Sequence, residues 1–241
     1  MTARTTTSTS ALRCCLLRLA DIESAPPASS LSAAGADSQL VTRLMIIVEQ
    51  VGARDQIEQQ LQTNVVGAIQ LTRAVLPRLR AQGGGKIVQL STMGGQFAYP
   101  GMSLYHASKW AIEGFFDSVS QEVAGFGIQV CLVEPGGART DFGGRSLTMA
   151  PALEAYADTA AGALRAHAKN RRPAEIPGDP RKMVGAMIDA VDADETPRRL
   201  LLGSDAYRMV HAALSDRLAS VEAQHDLTTS TDADDYALTT A

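Results

Sequence analysis

Residues 86–115, KIVQLSTMGGQFAYPGMSLYHASKWAIEGF, decide how this chain folds. The run opens with a short apolar, β-rich stretch, Lys86 to Ser91. It passes through a glycine-containing loop and enters a helical stretch from about Ser103 to Ala124. That is one strand-loop-helix unit. Upstream, Ile57, Leu61, Val65, Ile69 and Val75 recur at helical spacing within residues 55–80, and Gly83, Gly84 and Gly85 end the pattern. Downstream, Gly127 to Glu134 (GIQVCLVE) reads as a second strand that Pro135 stops. After a mobile-looking stretch, Asp179 and Pro180 suit the cap and first turn of a helix through about Val191. Arg199 to Leu202 is a third strand, and Ser204 caps a last helix running to about Ala223. Strands separated by helices of this length predict an α/β fold, a three-layer Rossmann-like parallel sheet with helices on both faces.

Composition narrows the function. The chain has 241 residues, 45% of them apolar and 20% charged, which suits one compact α/β domain or at most two small ones. A net charge of −4 provides no long-range attraction for nucleic acid or an anionic membrane. No run of 18 apolar residues occurs, so no membrane span is expected. Three cysteines, Cys14, Cys15 and Cys131, cannot make a disulfide framework, so a reducing, cytoplasmic setting is expected. The four histidines are too scattered for a sequence-local zinc pattern, and no metal is expected. Thr and Ser crowd residues 2–10, and Ala and Ser crowd 25–36, so residues 1–43 read as disordered or aberrant. A transit peptide is the other reading of that segment. Residues 44–226 form the expected domain, and 227–241 a polar, disordered tail.

Within YHASK, Tyr105 and Lys109 stand one helical turn apart on one face. An ammonium beside a phenol favours the phenolate, which prepares such a tyrosine to exchange a proton with a carbonyl or alcohol oxygen. Alone, the pair would read as a chance solvated couple. Thirteen residues before Tyr105, Thr92 sits at the carboxyl end of the Lys86 to Ser91 strand, where parallel sheets place ligands. Its hydroxyl is either a holder for substrate oxygen or a turn residue. Pro135, Gly136 and Thr140 (PGGART) occupy the corresponding end of the next strand, and glycine there would let a flat ring approach the backbone. Two tempting matches fail. Gly83 to Lys86 lacks the Ser or Thr of a phosphate loop after its lysine, and Asp141 to Gly143 has no kinase catalytic loop before it.

Together, residues 86–115, the run VCLVEPGGART and the upstream helix TNVVGAIQLTRAVLP resemble the short-chain dehydrogenase/reductase (SDR) family over roughly three quarters of the chain, from about Ile47 to Ala223. The resemblance implies an oxidoreductase that moves hydride between NAD or NADP and a carbonyl or alcohol. It implies Tyr105 as the catalytic acid or base and Lys109 as the residue that holds the nicotinamide ribose and lowers the Tyr105 pKa. Asn64 would anchor a water in the proton relay. Thr92 falls where the family usually has serine, with Ser91 one residue early; the extra methyl restricts its rotamer. Pro135, Gly136 and Thr140 match the turn that contacts the nicotinamide carboxamide. Phe142, Leu147 and Met149 would lie in the substrate loop and favour a substrate with some hydrophobic surface. Homo-oligomers are common in the family.

The first half of a dinucleotide fold is not legible. Gly35 is the only glycine in the first 50 residues, so a glycine-rich pyrophosphate turn cannot be built there. Only two asparagines, Asn64 and Asn170, occur, so the family's Asn-Asn-Ala-Gly element is absent too. Leu44 to Val48 (LMIIV) reads as a substitute strand beside the others or as a buried helix segment. The expectation is an N-terminally truncated or frameshifted SDR whose sheet has an exposed edge and an uncovered apolar face. A non-catalytic oligomerising subunit and an inactive fragment are the alternatives.

Overall fold

A computed structural model describes residues 43–45, 54–140, 147–149, 151–233 and 236. Its main sheet has three parallel strands in the order β2-β3-β5, with β2 at Gly85–Leu90, β3 at Ile128–Pro135 and β5 at Arg199–Leu202. Six registered pairs, from Gly85↔Ile128 to Leu90↔Val133, join β2 to β3, so their carboxyl ends finish side by side. Leu132↔Arg199 to Pro135↔Leu202 join β3 to β5. Pro135 is the last strand residue rather than a stop before it, a position where a missing N–H is tolerated.

The alternation in β3 explains the layers. Ile128, Val130 and Leu132 face one side and pack with Ile112, Phe116, Val119 and Val123 of helix α3 (Ser103–Val123). Leu76 and Leu79 of α2 (Gly67–Ala81) complete that core. Cys131 and Val133 face the other side and pack with Met183, Ala186 and Met187 of α5 (Pro180–Asp192). A strand buried on both faces reads as a continuous apolar run because its successive side chains serve different layers. Gly127 joins α3 to β3 at φ 68°, a left-handed turn that glycine accepts without strain.

Several expected details change. The helix expected over 55–80 is α1 (Arg54–Leu61), a π turn at Gln62–Val66 and then α2. The loop expected to be mobile contains α4 (Ala160–Asn170), capped by the Thr159 hydroxyl. Ser204 is the first residue of α6 (Ser204–Glu222) rather than its cap; Gly203 holds the cap position at φ 109°. A short helix α7, His225–Thr229, spans the boundary at 227 where the polar tail was expected. Arg43–Met45 forms β1 and pairs in parallel with β4 (Leu147–Met149), so this strand does not extend the main sheet as the LMIIV reading allowed. Residues 46–48 of that run, and Phe142, lie outside the described residues. Val88 and Leu90 of β2 are 42% and 53% exposed, so the face that α5 covers over β3 is open over β2. Among the described residues no helix is long and apolar enough to cross a membrane.

Phe116, 1% exposed at the α3–β3 contact, tests this packing. Phe116→Ala removes a ring from a close-packed site and is expected to cost about 3–5 kcal/mol in a denaturation experiment. A loss below about 1 kcal/mol would mean that α3 does not pack on β3 as described.

Candidate active site

Tyr105 and Lys109 lie in the first two turns of α3, 4% and 7% exposed. The Lys109 ammonium sits 6.0 Å from the Tyr105 ring centre and donates to the Leu90 carbonyl at 3.2 Å. Leu90 ends β2, so the sheet edge itself solvates the buried charge. Burial pushes the Lys109 pKa down from 10.5 to about 8, opposed by the nearby Glu113 carboxylate one helical turn on. The group is still an ammonium at neutral pH.

Asn64 is the one buried residue of the π turn. A π turn widens the helix locally and turns a side chain off the regular helical face. Asn64 Nδ2 donates to Ser108 Oγ at 3.0 Å, and Ser108 Oγ donates to the Tyr105 carbonyl at 2.7 Å. Two of the residues named from sequence, Asn64 and Tyr105, are thus joined through Ser108, which was not named. Its signal was available: it lies on the turn between Tyr105 and Lys109, where an inward hydroxyl needs a partner.

The Thr92 loop closes the site from the sheet side. Thr92 Oγ1 accepts from Gly94 N at 3.3 Å and lies 3.5 Å from the Pro135 carbonyl, so it touches both loops at the strand ends. Ser91 is buried and its Oγ has no partner among the described residues. His106 ties the loop to α3. Tyr99 N–H donates to Nε2 at 2.9 Å, which puts the ring proton on Nδ1, 2.8 Å from the Gly94 carbonyl. Trp110 Nε1 donates to the same carbonyl at 3.2 Å. A Cβ on Gly95 would come within 2.7 Å of Glu113 Oε1, so only glycine fits there against α3.

At the second loop, Gly137 N–H donates to Asp205 Oδ2 at 2.8 Å, and a Cβ on Gly136 would collide with Asp205 Oδ1. Gly136 is therefore glycine because a carboxylate at the start of α6 crowds it, a reason the sequence did not reveal. Thr140 stands exposed at the far end of this turn. For Leu147 and Met149 only the backbone, β4, is described. Among the described residues no cluster of His, Cys, Asp and Glu could hold a metal.

Comparison with known proteins bears on the family and the fold. A family model described as short chain dehydrogenase matches residues 33–150. An oxidoreductase of Botryotinia fuckeliana is 37% identical over 168 residues, 70% of this chain and 61% of that protein. A 3-ketodihydrosphingosine reductase of Bacteroides thetaiotaomicron is 33% identical over 156 residues, covering 64% and 57%. The chain thus spans about three fifths of the length of these relatives. The crystal structure of a short-chain dehydrogenase from Streptomyces avermitilis superposes with TM-score 0.72 at 33% identity, over 80% of this chain and 69% of that one. A Burkholderia cenocepacia short-chain dehydrogenase in complex with NADP shares the fold at TM-score 0.54 and 19% identity, over 79% and 71%.

The buried Lys109 charge has a measurable signature. A pKa lowered to about 8 means the folded chain binds fewer protons than the unfolded chain between about 8 and 10.5. Stability attributable to Lys109 therefore rises with pH across that window, by about 3 kcal/mol. Lys109→Met is expected to melt higher than the parent at neutral pH, with the gap closing towards pH 10. A variant less stable than the parent at neutral pH would show that Lys109 stabilises the fold as a cation.

Proposed function

Because the chain belongs to the short-chain dehydrogenase/reductase family, we propose that it interconverts a carbonyl and an alcohol with NAD or NADP, with Tyr105 as acid and base. The carrying observation is the burial of Tyr105 and Lys109 one turn apart, with Asn64 locked to the same turn through Ser108. Tyr105 gives its phenolic proton to the carbonyl oxygen in reduction and takes one from the alcohol in oxidation. The Lys109 ammonium favours negative charge developing on the Tyr105 oxygen while it remains charged, below about pH 8. Thr92 holds the substrate oxygen, and Asn64 anchors a water that resupplies the proton.

The residues present fit the nicotinamide end of the cofactor. An ammonium has three N–H donors, and Lys109 has one acceptor among the described residues, the Leu90 carbonyl. The ribose diol suits the remaining two. Pro135, Gly136 and Thr140 would hold the carboxamide. A reduced nicotinamide supplies the hydride when bound. The pyrophosphate end has no such fit, because no glycine-rich turn opening a helix occurs among the described residues. NADP in the Burkholderia cenocepacia structure supports a nicotinamide cofactor without separating NAD from NADP. Phe142, Leu147 and Met149 support a substrate with hydrophobic surface. An apolar groove between α2 and α3, lined by Ile69, Leu76, Phe115 and Phe126, supports pairing with a second copy. The free, buried Cys131 supports a cytoplasmic setting; fractionation into an oxidising compartment would contradict it.

Trp110, the single tryptophan, bonds to the Thr92 loop, so its fluorescence reports on the site. Titration with NADPH or NADH is expected to change that signal and raise the melting temperature, and light scattering to give a dimer or larger. Millimolar cofactor that changes neither, or a monodisperse monomer, would overturn the corresponding part of the reading.

A further inference from the structure

Behind the site lies a buried carboxyl cluster that the proposed chemistry does not use. Glu134 of β3 and Glu113 of α3 are 2% and 6% exposed and lie within hydrogen-bonding reach of each other. Glu134 Oε1 accepts from Gln96 Nε2 at 2.9 Å and pairs with Arg199 Nε at 3.1 Å. Glu113 Oε2 pairs with the Arg199 guanidinium at 3.2 Å, while Glu113 Oε1 is buried with no donor among the described residues. Asp117, the third carboxylate, takes Arg199 at 2.7 Å and Arg198 at 3.0 Å. Lys109 and the Cys131 thiol also face the cluster, Lys109 beside Glu113 and Cys131 beside Glu134.

Counted with the Lys109 ammonium, three cations face three carboxyls, but the two buried carboxyls share one guanidinium as their ion-pair partner. Arg198 answers Asp117, which leaves Arg199 to serve two buried carboxylates. A single proton on Glu134 relieves the repulsion between the two carboxyls and can be donated to Glu113, whose Oε1 is buried without a donor among the described residues. Repulsion between buried like charges is the usual reason for such a pair to hold one proton.

We propose that Glu134 and Glu113 share one proton in mildly acidic solution and act as a positioning pair that fixes the two site loops against α3. Glu134 is the residue before Pro135, so it sets where the second loop leaves the sheet. Gln96 follows the Thr92 turn, and Gly95 lies against Glu113, so the same pair sets the first loop. Losing the proton places two adjacent carboxylates between α3 and β3 and lets the loops separate. This inference rests on the proposed catalytic role of those loops, but its test needs neither cofactor nor substrate.

Burial, with the Glu113 charge, pushes the Glu134 pKa up from 4.5 to about 7, against the Gln96 and Arg199 contacts. A raised carboxyl pKa contributes stability that is complete below the unfolded value and is lost as pH rises through about 7. Infrared difference spectra of the full chain across pH 5 to 8 should show one protonated carboxyl band disappearing near pH 7. Glu134→Gln, which keeps shape and a donor, should lack the band. The parent should lose about 3 °C or more of melting temperature relative to this variant over the same range. The Gly95 amide, bonded to the Thr92 carbonyl, should lose protection at pH 8, beyond the intrinsic rise of exchange with pH, in the parent alone. No carboxyl band in the parent, a band that survives in Glu134→Gln, or the same pH slope in both proteins would overturn the proposal. If the variant does not fold, the presence or absence of the parent band decides. Loss of cofactor binding with the band intact would count against the catalytic reading alone.

Discussion

A charged lysine inside a helix–sheet junction has to be solvated by protein, and the arrangement around Lys109 meets that demand. Its ammonium reaches the Leu90 carbonyl, the last of β2. That contact holds only if α3 lies across the strand ends at a fixed height, which Ile112 and Phe116 secure by packing on Val130 and Leu132 one layer below. The cost of burial appears in the depressed pKa of the amine. A fold optimised for stability alone would place an apolar side chain there, and the role proposed for Lys109 gives a reason for the charge.

From that contact the rest of the site follows by register. Parallel pairing of Leu90 with Val133 brings the Thr92 loop and the Pro135 loop to the same edge, where the Thr92 hydroxyl lies near the Pro135 carbonyl. The π turn in the preceding helix brings Asn64 to Ser108 on the Tyr105 turn, so three chain segments converge on one turn of α3. Each loop is then held from outside the site: the first by His106, Trp110 and Gln96, the second by Asp205. Rigid elements supply the positions, and the short loops only complete them.

Much of this was legible in the sequence because it is periodic. The β3 run and the α3 spacing specify layers, and the four-residue step from Tyr105 to Lys109 specifies a shared face. The unread parts are those without a local signature. The π turn at Asn64 leaves the apolar spacing of residues 55–80 looking like one helix. The contact of Asp205 with Gly136 and Gly137 joins residues almost 70 positions apart, so glycine at that turn looked like room for a ligand. Arg199 reads as the start of a strand, although its guanidinium lies among three carboxyl groups. Long-range polar contacts of this kind follow from packing and cannot be inferred from spacing.

The central claim is that Tyr105, placed by Lys109 and Asn64, moves the proton in a hydride transfer. The direct measurement is deuterium incorporation from nicotinamide-deuterated NADPH or NADH into the alcohol made from an apolar ketone, followed by mass spectrometry. The account predicts label in the product with the parent chain and at least a hundredfold less with Tyr105→Phe, in keeping with the usual worth of a general acid. Equal incorporation by the parent and the phenylalanine variant would contradict it.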